Sequence, residues 1–323
     1  MKKNEIKVSV VIPTYNTDEE ILMESVNSIL KQTHKNFELI IIDDGSKVKS
    51  LFLENITDSR VIVVYNGENK GLVYTLNRGI EISSGKYFFR MDADDIALPN
   101  RLEVSIKFLE KNPSIGILGT NVIYFGNKKG KSRFPRKHDD IKSNLIFSNV
   151  IAHPSVVYRK EVIDKYKLRY SSKYLSEDYH MWLNVLINYP DIKFATLKNK
   201  TLKYRIHDAQ ITSAKKQQLF EDGIKLQQMI MEYIGIDLTF EEHNSFYMFS
   251  THQKLSKKEV RVAFEVLKKI ITTNKSRKIF KHKSLKKSIR IKTLKNLIIQ
   301  IIRFKNFRLT FVMLRFVCFL IGK

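Results

Sequence analysis

Three carboxylates stand within four residues at Asp92-Ala93-Asp94-Asp95, and so dense a run repels itself unless a divalent cation or hydrogen bonds offset the charge. Mg²⁺ or Mn²⁺ suits it: these hard ions prefer oxygen ligands, and Mg²⁺ usually takes one or two carboxylates together with substrate phosphates and water. The same run also reads as a solvated acidic turn ahead of a helix, whose N-terminus favours acids. Two further polar clusters follow apolar runs, Pro13-Thr14-Tyr15-Asn16 and Asp43-Asp44-Gly45-Ser46. Glu177-Asp178 opens a helical apolar pattern containing Trp182, a placement that by itself suits a helix N-terminal cap. His153 and His207 complete the titratable candidates, although a lone histidine is more often structural.

The elements that must position these groups alternate. Val8 to Ile12, Leu39 to Ile42, Val61 to Val64 and Tyr87 to Met91 are short apolar runs, expected as buried strands. Between them lie helical patterns: Thr17 and Glu20 have capping-box spacing ahead of Ile21, Leu22, Val26, Ile29 and Leu30, Gly71 to Ile82 suits a second helix, and Pro99 is expected to open a third. This alternation predicts an α/β fold with a doubly wound, mostly parallel sheet. In such sheets ligands bind beyond the carboxyl ends of the strands, where all three polar clusters fall, so a nucleotide could lie across them. After Gly116 the pattern becomes mixed. Strands are expected near Ile117 to Phe125, Ser155 to Tyr158, Ile192 to Ala195 and Leu202 to Ile206, with helices at Glu177 to Asn188 and Ser213 to Ile234. The expected division is a catalytic part over 1–212, split near 115, and a helical basic part over 213–323.

Many segments occur in the order of a known family: Val10-Val11-Ile12-Pro13-Thr14-Tyr15-Asn16, Ile42-Asp43-Asp44-Gly45-Ser46, Asn69-Lys70-Gly71-Leu72, Leu76-Asn77-Arg78-Gly79-Ile80, Gly85-Lys86-Tyr87, the acidic run and Pro99-Asn100-Arg101-Leu102. Over residues 7 to about 212 the chain resembles glycosyltransferase family 2. The resemblance implies a GT-A fold, with a Rossmann-like nucleotide-sugar-binding half over 1–115 and an acceptor half over 116–212. It implies inverting transfer of a hexose or N-acetylhexosamine from a UDP-sugar to a glycan or lipid-linked oligosaccharide in surface polysaccharide assembly. By the same match Pro13, Thr14, Tyr15 and Asp44 line the nucleobase pocket, with Asp44 accepting from the uracil ring N–H. Asn69, Gly71, Asn77 and Asp92 contact the donor and Asp94 and Asp95 are the metal candidates for Mn²⁺ or Mg²⁺, the ribose and metal contacts being divided among Asp92, Asp94 and Asp95 in a way the match leaves open. Asp178 is the implied base, with Glu177 and Trp182 on the acceptor side. The segments around His153 and His207 recur in the family: His207 is a candidate for the metal shell, since neutral imidazole binds Mn²⁺ acceptably, and His153 for the acceptor side.

Composition bounds the rest. One cysteine, Cys318, excludes an intramolecular disulfide and a Cys-rich zinc site. The first residues lead into a strand-like run without the roughly 7–15 apolar residues of a signal peptide, so a cytosolic setting is expected. From Lys254 onward 21 Lys and Arg face two acids, a charge of +19 out of the chain's +24. A cationic end attracts nucleic acid, anionic lipid or polyphosphate. Ile291, Leu294, Ile298 and Ile301 recur at helical spacing beside Arg290, Lys295 and Arg303, which predicts a basic amphipathic helix for a membrane surface or, alternatively, for packing on protein. Leu309 to Ile321 spans thirteen residues around Arg315, too few for the roughly 20 that cross a bilayer. A peripheral position on the inner face of the cell membrane is therefore expected. The competing classes are a nucleotide-sugar-binding protein without transfer, a nucleotidyltransferase, which would want a glycine-rich triphosphate loop, and a nucleic-acid binder, which would want an aromatic-basic module.

Overall fold

The computed structural model describes residues 6–47, 51–207 and 215–305, with Leu309, Met313, Leu314 and Phe316. The chain divides into two compact units, one comprising Met1–Arg136, Ile151–Met181 and Tyr189–Ala214, the other Lys137–Val150, Trp182–Asn188 and Lys215–Lys323. Two segments from before residue 212 thus group with the helical part.

The strands of the first unit are β1 (Val8–Thr14), β2 (Phe37–Asp43), β3 (Val61–Tyr65), β4 (Tyr87–Arg90), β5 (Ile96–Ala97), β6 (Ile115–Gly126), β7 (Gly130–Lys131), β8 (Val157–Arg159) and β9 (Lys193–Ile206). β1, β2 and β4 are buried along their whole length, as strands covered on both faces require. β1 pairs in parallel with β2 and β4, and β2 with β3. Beyond β4 the sheet becomes mixed: β8 runs antiparallel to both β4 and β6, β6 runs parallel to β9, and β5 closes the edge against β9. The order is β3-β2-β1-β4-β8-β6-β9-β5, with β7 on β6 off this path. The two strands expected at Ile192 to Ala195 and Leu202 to Ile206 are one. β6 supplies partners along the whole stretch, and register shifts beside Asn121 absorb the polar residues between.

Helices α1 (Glu19–Leu30), α2 (Leu72–Ile82) and α3 (Arg101–Lys111) alternate with the first strands. Leu22, Val26 and Ile29 of α1 and Leu102, Ile106 and Leu109 of α3 join Val10, Ile12, Leu39, Ile41 and Phe89 in one apolar core. The expected Thr17–Glu20 capping box does not form. Helix α1 starts at Glu19, so Asp18 is its cap and accepts from the amides of Glu20 (3.0 Å) and Ile21 (3.2 Å), while Thr17 Oγ1 accepts from Thr14 Oγ1 at 2.9 Å. Helix α3 begins after Asn100, two residues beyond Pro99.

Short helices α4 (His138–Asn144) and α5 (Lys160–Tyr166) precede α6 (Glu177–Asn188), and α7 (Lys216–Ile234), α8 (Phe240–Ser250), α9 (Lys257–Arg277) and α10 (His282–Ile302) follow. Helices α8 and α9 open with full capping boxes, Thr239–Glu242 and Ser256–Glu259. Leu226, Ile230, Phe246, Phe249, Val260, Leu267 and Ile289 are buried in the second unit.

Helix α10 departs from the usual polarity. Its buried face carries Ser288, Thr293, Asn296 and Gln300 beside Leu285, Ile289 and Leu297. Most of these polar groups find partners inside: Asn296 Nδ2 donates to the Phe249 carbonyl at 2.6 Å, Gln300 Nε2 to the Gln253 carbonyl at 2.6 Å, and Ser288 Oγ accepts from Asn144 Nδ2 at 2.8 Å. Burial, and then the neighbouring Lys295, pull the Lys292 amine down to about 7. Ile301, expected on the apolar stripe, is only partly exposed, and Ile302 takes that place. Of the segment Leu309 to Ile321, the described Leu309, Met313 and Phe316 are buried and Leu314 is exposed, and its other residues lie outside the described ones. Residues 213–214, expected at the start of α7, also lie outside them. No helix among the described residues is long and apolar enough to cross a membrane.

Candidate active site

The ends of β1 and β2 meet where Asp44 N donates to the Thr14 carbonyl at 2.9 Å. Pro13 and Thr14 are buried at the end of β1, whereas Tyr15 is 44% exposed and presents a ring at the strand end. Asp44 is nearly saturated inside the protein: Oδ1 accepts from Asn66 Nδ2 (2.6 Å) and Lys70 N (3.0 Å), and Oδ2 from Gly71 N (2.8 Å). A carboxylate has about four acceptor sites, so at most one is left for the base-reading role expected of it, and its visible work is to hold the 66–71 loop. Two neighbours with no assigned role in the sequence pattern complete this corner. Asn66 also donates to Thr75 Oγ1 (2.9 Å) and accepts from Arg78 Nη1 (2.6 Å), and the buried Asp43 Oδ2 has no hydrogen-bond partner while its Oδ1 accepts from Ser46 N (2.8 Å).

Asn69 is exposed on that loop. Gly71 has φ +87 with open space around a would-be Cβ, so its backbone angle, not crowding, calls for glycine. Asn77 is committed elsewhere: Oδ1 accepts from Tyr170 N (2.9 Å) and Nδ2 donates to the Tyr170 carbonyl (3.0 Å), so its side chain clamps that backbone instead of reaching toward a donor. Gly45 combines φ +72 with backbone contact, since a Cβ there would overlap Glu68 and Asn69. Gly45→Ala is expected to cost about 1–3 kcal/mol and to weaken nucleotide binding by displacing the loop. Urea unfolding and UDP titration check both, and unchanged values would show that the loop tolerates the shift.

At the end of β4 the acidic run separates into three environments. Asp92 Oδ1 pairs with Arg90 Nη2 at 2.6 Å, and Arg90 is 3% exposed. Burial disfavours the Arg90 charge, but Asp92, Tyr170 and Glu177 together push its affinity for the proton above the ordinary arginine value. Asp94 is partly exposed, and its Oδ2 lies 3.0 Å from His207 Nε2. Asp95 is fully buried: Oδ1 accepts from Arg205 N at 2.8 Å and Oδ2 has no partner, so burial and the charges of Asp92 and Asp94 hold its carboxyl well above the usual range. Arg205 ties the cluster together, its Nε donating to the Asp94 carbonyl at 2.8 Å and its Nη2 pairing with Glu24 at 2.6 Å. Its place two residues before His207 was the only sequence signal for it.

Among the described residues no three metal-ligating side chains are already grouped around one point. The donor set nevertheless fits a divalent cation of the Mg²⁺ or Mn²⁺ type. Asp94 and His207 are adjacent and accessible, Asp95 Oδ2 is a buried oxygen without a hydrogen-bond partner, and such ions leave much of their shell to phosphate and water.

Glu177 and Asp178 lie in the first turn of α6. His153, expected to face an acceptor, is buried and works as a bridge, with Nδ1 3.2 Å from Glu177 Oε1 and Nε2 2.9 Å from Tyr170 Oη, which in turn lies 2.6 Å from Tyr158 Oη. Burial, and then Arg90, pull the imidazole down to about 3, so it is neutral at physiological pH. With Glu177 ionised, a neutral imidazole donates from Nδ1 and accepts the Tyr170 proton at Nε2. Burial raises both carboxyls, in each case against the opposing pull of Arg90. Asp178 Oδ1 accepts from Tyr179 N at 2.6 Å. Trp182 is 0% exposed and belongs to the second unit, so its ring is core and lines no open surface.

The sequence model of glycosyl transferase family 2 matches residues 9–167, from β1 through α5. An uncharacterized glycosyltransferase of Haemophilus influenzae strain Rd is 35% identical over 255 residues, covering 72% of this chain and 76% of the relative. The chain belongs to glycosyl transferase family 2. A relative, the UDP-Glc:alpha-D-GlcNAc-diphosphoundecaprenol beta-1,3-glucosyltransferase WfgD of Escherichia coli, is 31% identical over 215 residues, 66% of this chain and 82% of WfgD. The crystal structure of S. aureus TarS 1-349 in complex with UDP-GlcNAc superposes with a TM-score of 0.58 at 15% identity, covering 95% of this chain and 90% of that one, which establishes a shared fold. That fold is the GT-A type expected for the family, with a helical C-terminal part present.

Proposed function

We propose that this glycosyltransferase moves a hexose or N-acetylhexosamine from a UDP-sugar, with inversion, to a glycan or lipid-linked oligosaccharide acceptor of a surface polysaccharide. The observation that carries the reading is the pairing of accessible Asp94 with His207 at the carboxyl end of β4, beside the buried and unpartnered Asp95 Oδ2. The relative WfgD, by its name, takes UDP-Glc and a diphosphoundecaprenol acceptor, which supports both the donor class and a lipid-linked acceptor.

Tyr15 would pack on the nucleobase, with the 66–71 loop held under it by Asp44 and Asp43 Oδ2 available as an acceptor. Asp94 and His207, with Asp95 behind them, would hold Mn²⁺ or Mg²⁺. When bound, that ion supplies positive charge to the departing diphosphate. Asp92, oriented by Arg90, borders the donor. Asp178 accepts the proton of the acceptor hydroxyl as that oxygen attacks the anomeric carbon on the face opposite UDP, and burial raises its affinity for that proton. Glu177, fixed by neutral His153, keeps the base pair in place. The enzyme would work peripherally at the cytoplasmic face of the membrane, the basic C-terminal region lying against anionic lipid and leaving nucleic acid unbound.

A screen of nucleotide sugars with Mn²⁺ tests the reading. A UDP-sugar is expected to raise the melting temperature and to be slowly hydrolysed, both abolished by EDTA. Stabilisation by a GDP-sugar alone would overturn the donor assignment, and UDP-sugar binding with neither hydrolysis nor transfer would establish a binding protein without activity.

A further inference from the structure

The outward face of α10 has the composition that an interior usually claims. Ile291 (39% exposed), Leu294 (37%), Ile298 (54%) and Ile302 (74%) succeed one another at spacings of three, four and four residues and so form one stripe, while the helix buries Ser288, Thr293, Asn296 and Gln300. The inward face mixes these amides and hydroxyls with Leu285, Ile289 and Leu297, while four branched aliphatic residues line the outer side, where an apolar environment would cover them. The cations choose which. Lys283, Arg290, Lys295 and Arg303 are exposed on the same helix or at its end and form no ion pair among the described residues, whereas Lys287 pairs with Asp140 at 2.7 Å. An apolar stripe bordered by uncompensated lysine and arginine is complementary to the boundary between anionic headgroups and acyl chains. The helix is not apolar enough to span, so it lies in the plane.

We infer that the Ile291–Leu294–Ile298–Ile302 face of α10 is the surface by which this chain inserts into an anionic bilayer leaflet. The inference deepens the peripheral-membrane part of the function proposed above by assigning the contact to one helix face, and it requires nothing of the donor chemistry.

The full-length chain and the double variant Ile298→Glu/Ile302→Glu are compared by flotation with vesicles of equal parts phosphatidylglycerol and phosphatidylcholine, and with phosphatidylcholine alone. Both substituted side chains are exposed, so the variant should fold, as checked by circular dichroism and UDP titration. The expected result is wild-type flotation with the anionic vesicles only, reduced in the variant on the order of tenfold or more, since every buried CH₂ adds to the partition. Equal flotation of the two proteins, equal binding to neutral vesicles, or no flotation of either overturns the inference. So does a wild-type dimer in light scattering that the variant converts to monomer, because the stripe would then belong to a second copy. Flotation of an Asp178→Asn protein like wild type separates this surface from the transfer reaction: failure of the donor reading leaves flotation unchanged, and failure of flotation leaves donor hydrolysis intact.

Discussion

Asp178→Asn is expected to lose about 10²- to 10⁴-fold in kcat for sugar transfer, the usual range for a missing general base, while its affinity for a UDP-sugar stays at the wild-type value. The amide keeps the size of the carboxyl and can still accept from Tyr179 N, so the first turn of α6 should persist. The pH profile gives a second readout. Burial, helped by the charge of Glu177, raises the Asp178 pKa, so the base takes up its proton at a higher pH than an ordinary aspartate. Only the ionised form can accept a proton, and the wild-type rate should therefore fall as pH drops through that raised value. The residual activity of the variant should lack this acid limb. Single-turnover transfer measured across pH decides it, and wild-type rates or an unchanged limb in the variant would place the base elsewhere.

Asp94→Asn is expected to remove the metal dependence of UDP binding. In wild type, EDTA should weaken UDP affinity strongly, and in the variant affinity with Mn²⁺ should fall to the level seen with EDTA. The loss should exceed the 10- to 100-fold typical of removing a group one shell further from a metal. Folding should survive, because Asp94 is partly exposed and its carbonyl, not its side chain, receives Arg205 Nε. Calorimetric titration of UDP with Mn²⁺ and with EDTA is the measurement. A folded variant that still binds UDP more tightly with Mn²⁺ would remove Asp94 from the metal shell and leave Asp92 as the next candidate.

The parts of this fold that could be read from the chain are those set by neighbours in sequence. β1 and β2 announce themselves as uninterrupted apolar runs because both faces are covered, and α6 begins at Glu177 and ends at Asn188 as its periodicity predicts. The carboxyl-end positions of Asp44, Asp92 and Asp94 follow from the strands that deliver them. What could not be read depends on partners far away in the chain. Asn77 spends its amide on a residue 93 positions later, Asp95 receives its hydrogen bond from a residue 110 positions later, and neither commitment leaves a local trace. The polar inward face of α10 was hidden for the same reason. A pattern of apolar spacing identifies a stripe, but whether that stripe faces in or out is decided by which amides find carbonyls in α8 and beyond, as Asn296 does at Phe249.

Trp182 is the chain's single tryptophan and is fully shielded from water. Its indole sits one helical turn beyond Asp178 on α6, on the same side of the helix. Intrinsic fluorescence excited at the indole band therefore has one source, shielded from water and attached to the element that carries the proposed base. A red shift on denaturation would follow the loss of that shielding without any added dye. A change in emission on adding donor or acceptor, with the fold intact, would register rearrangement of the very helix on which proton transfer is proposed to depend, so the protein already contains the optical reporter needed to time it.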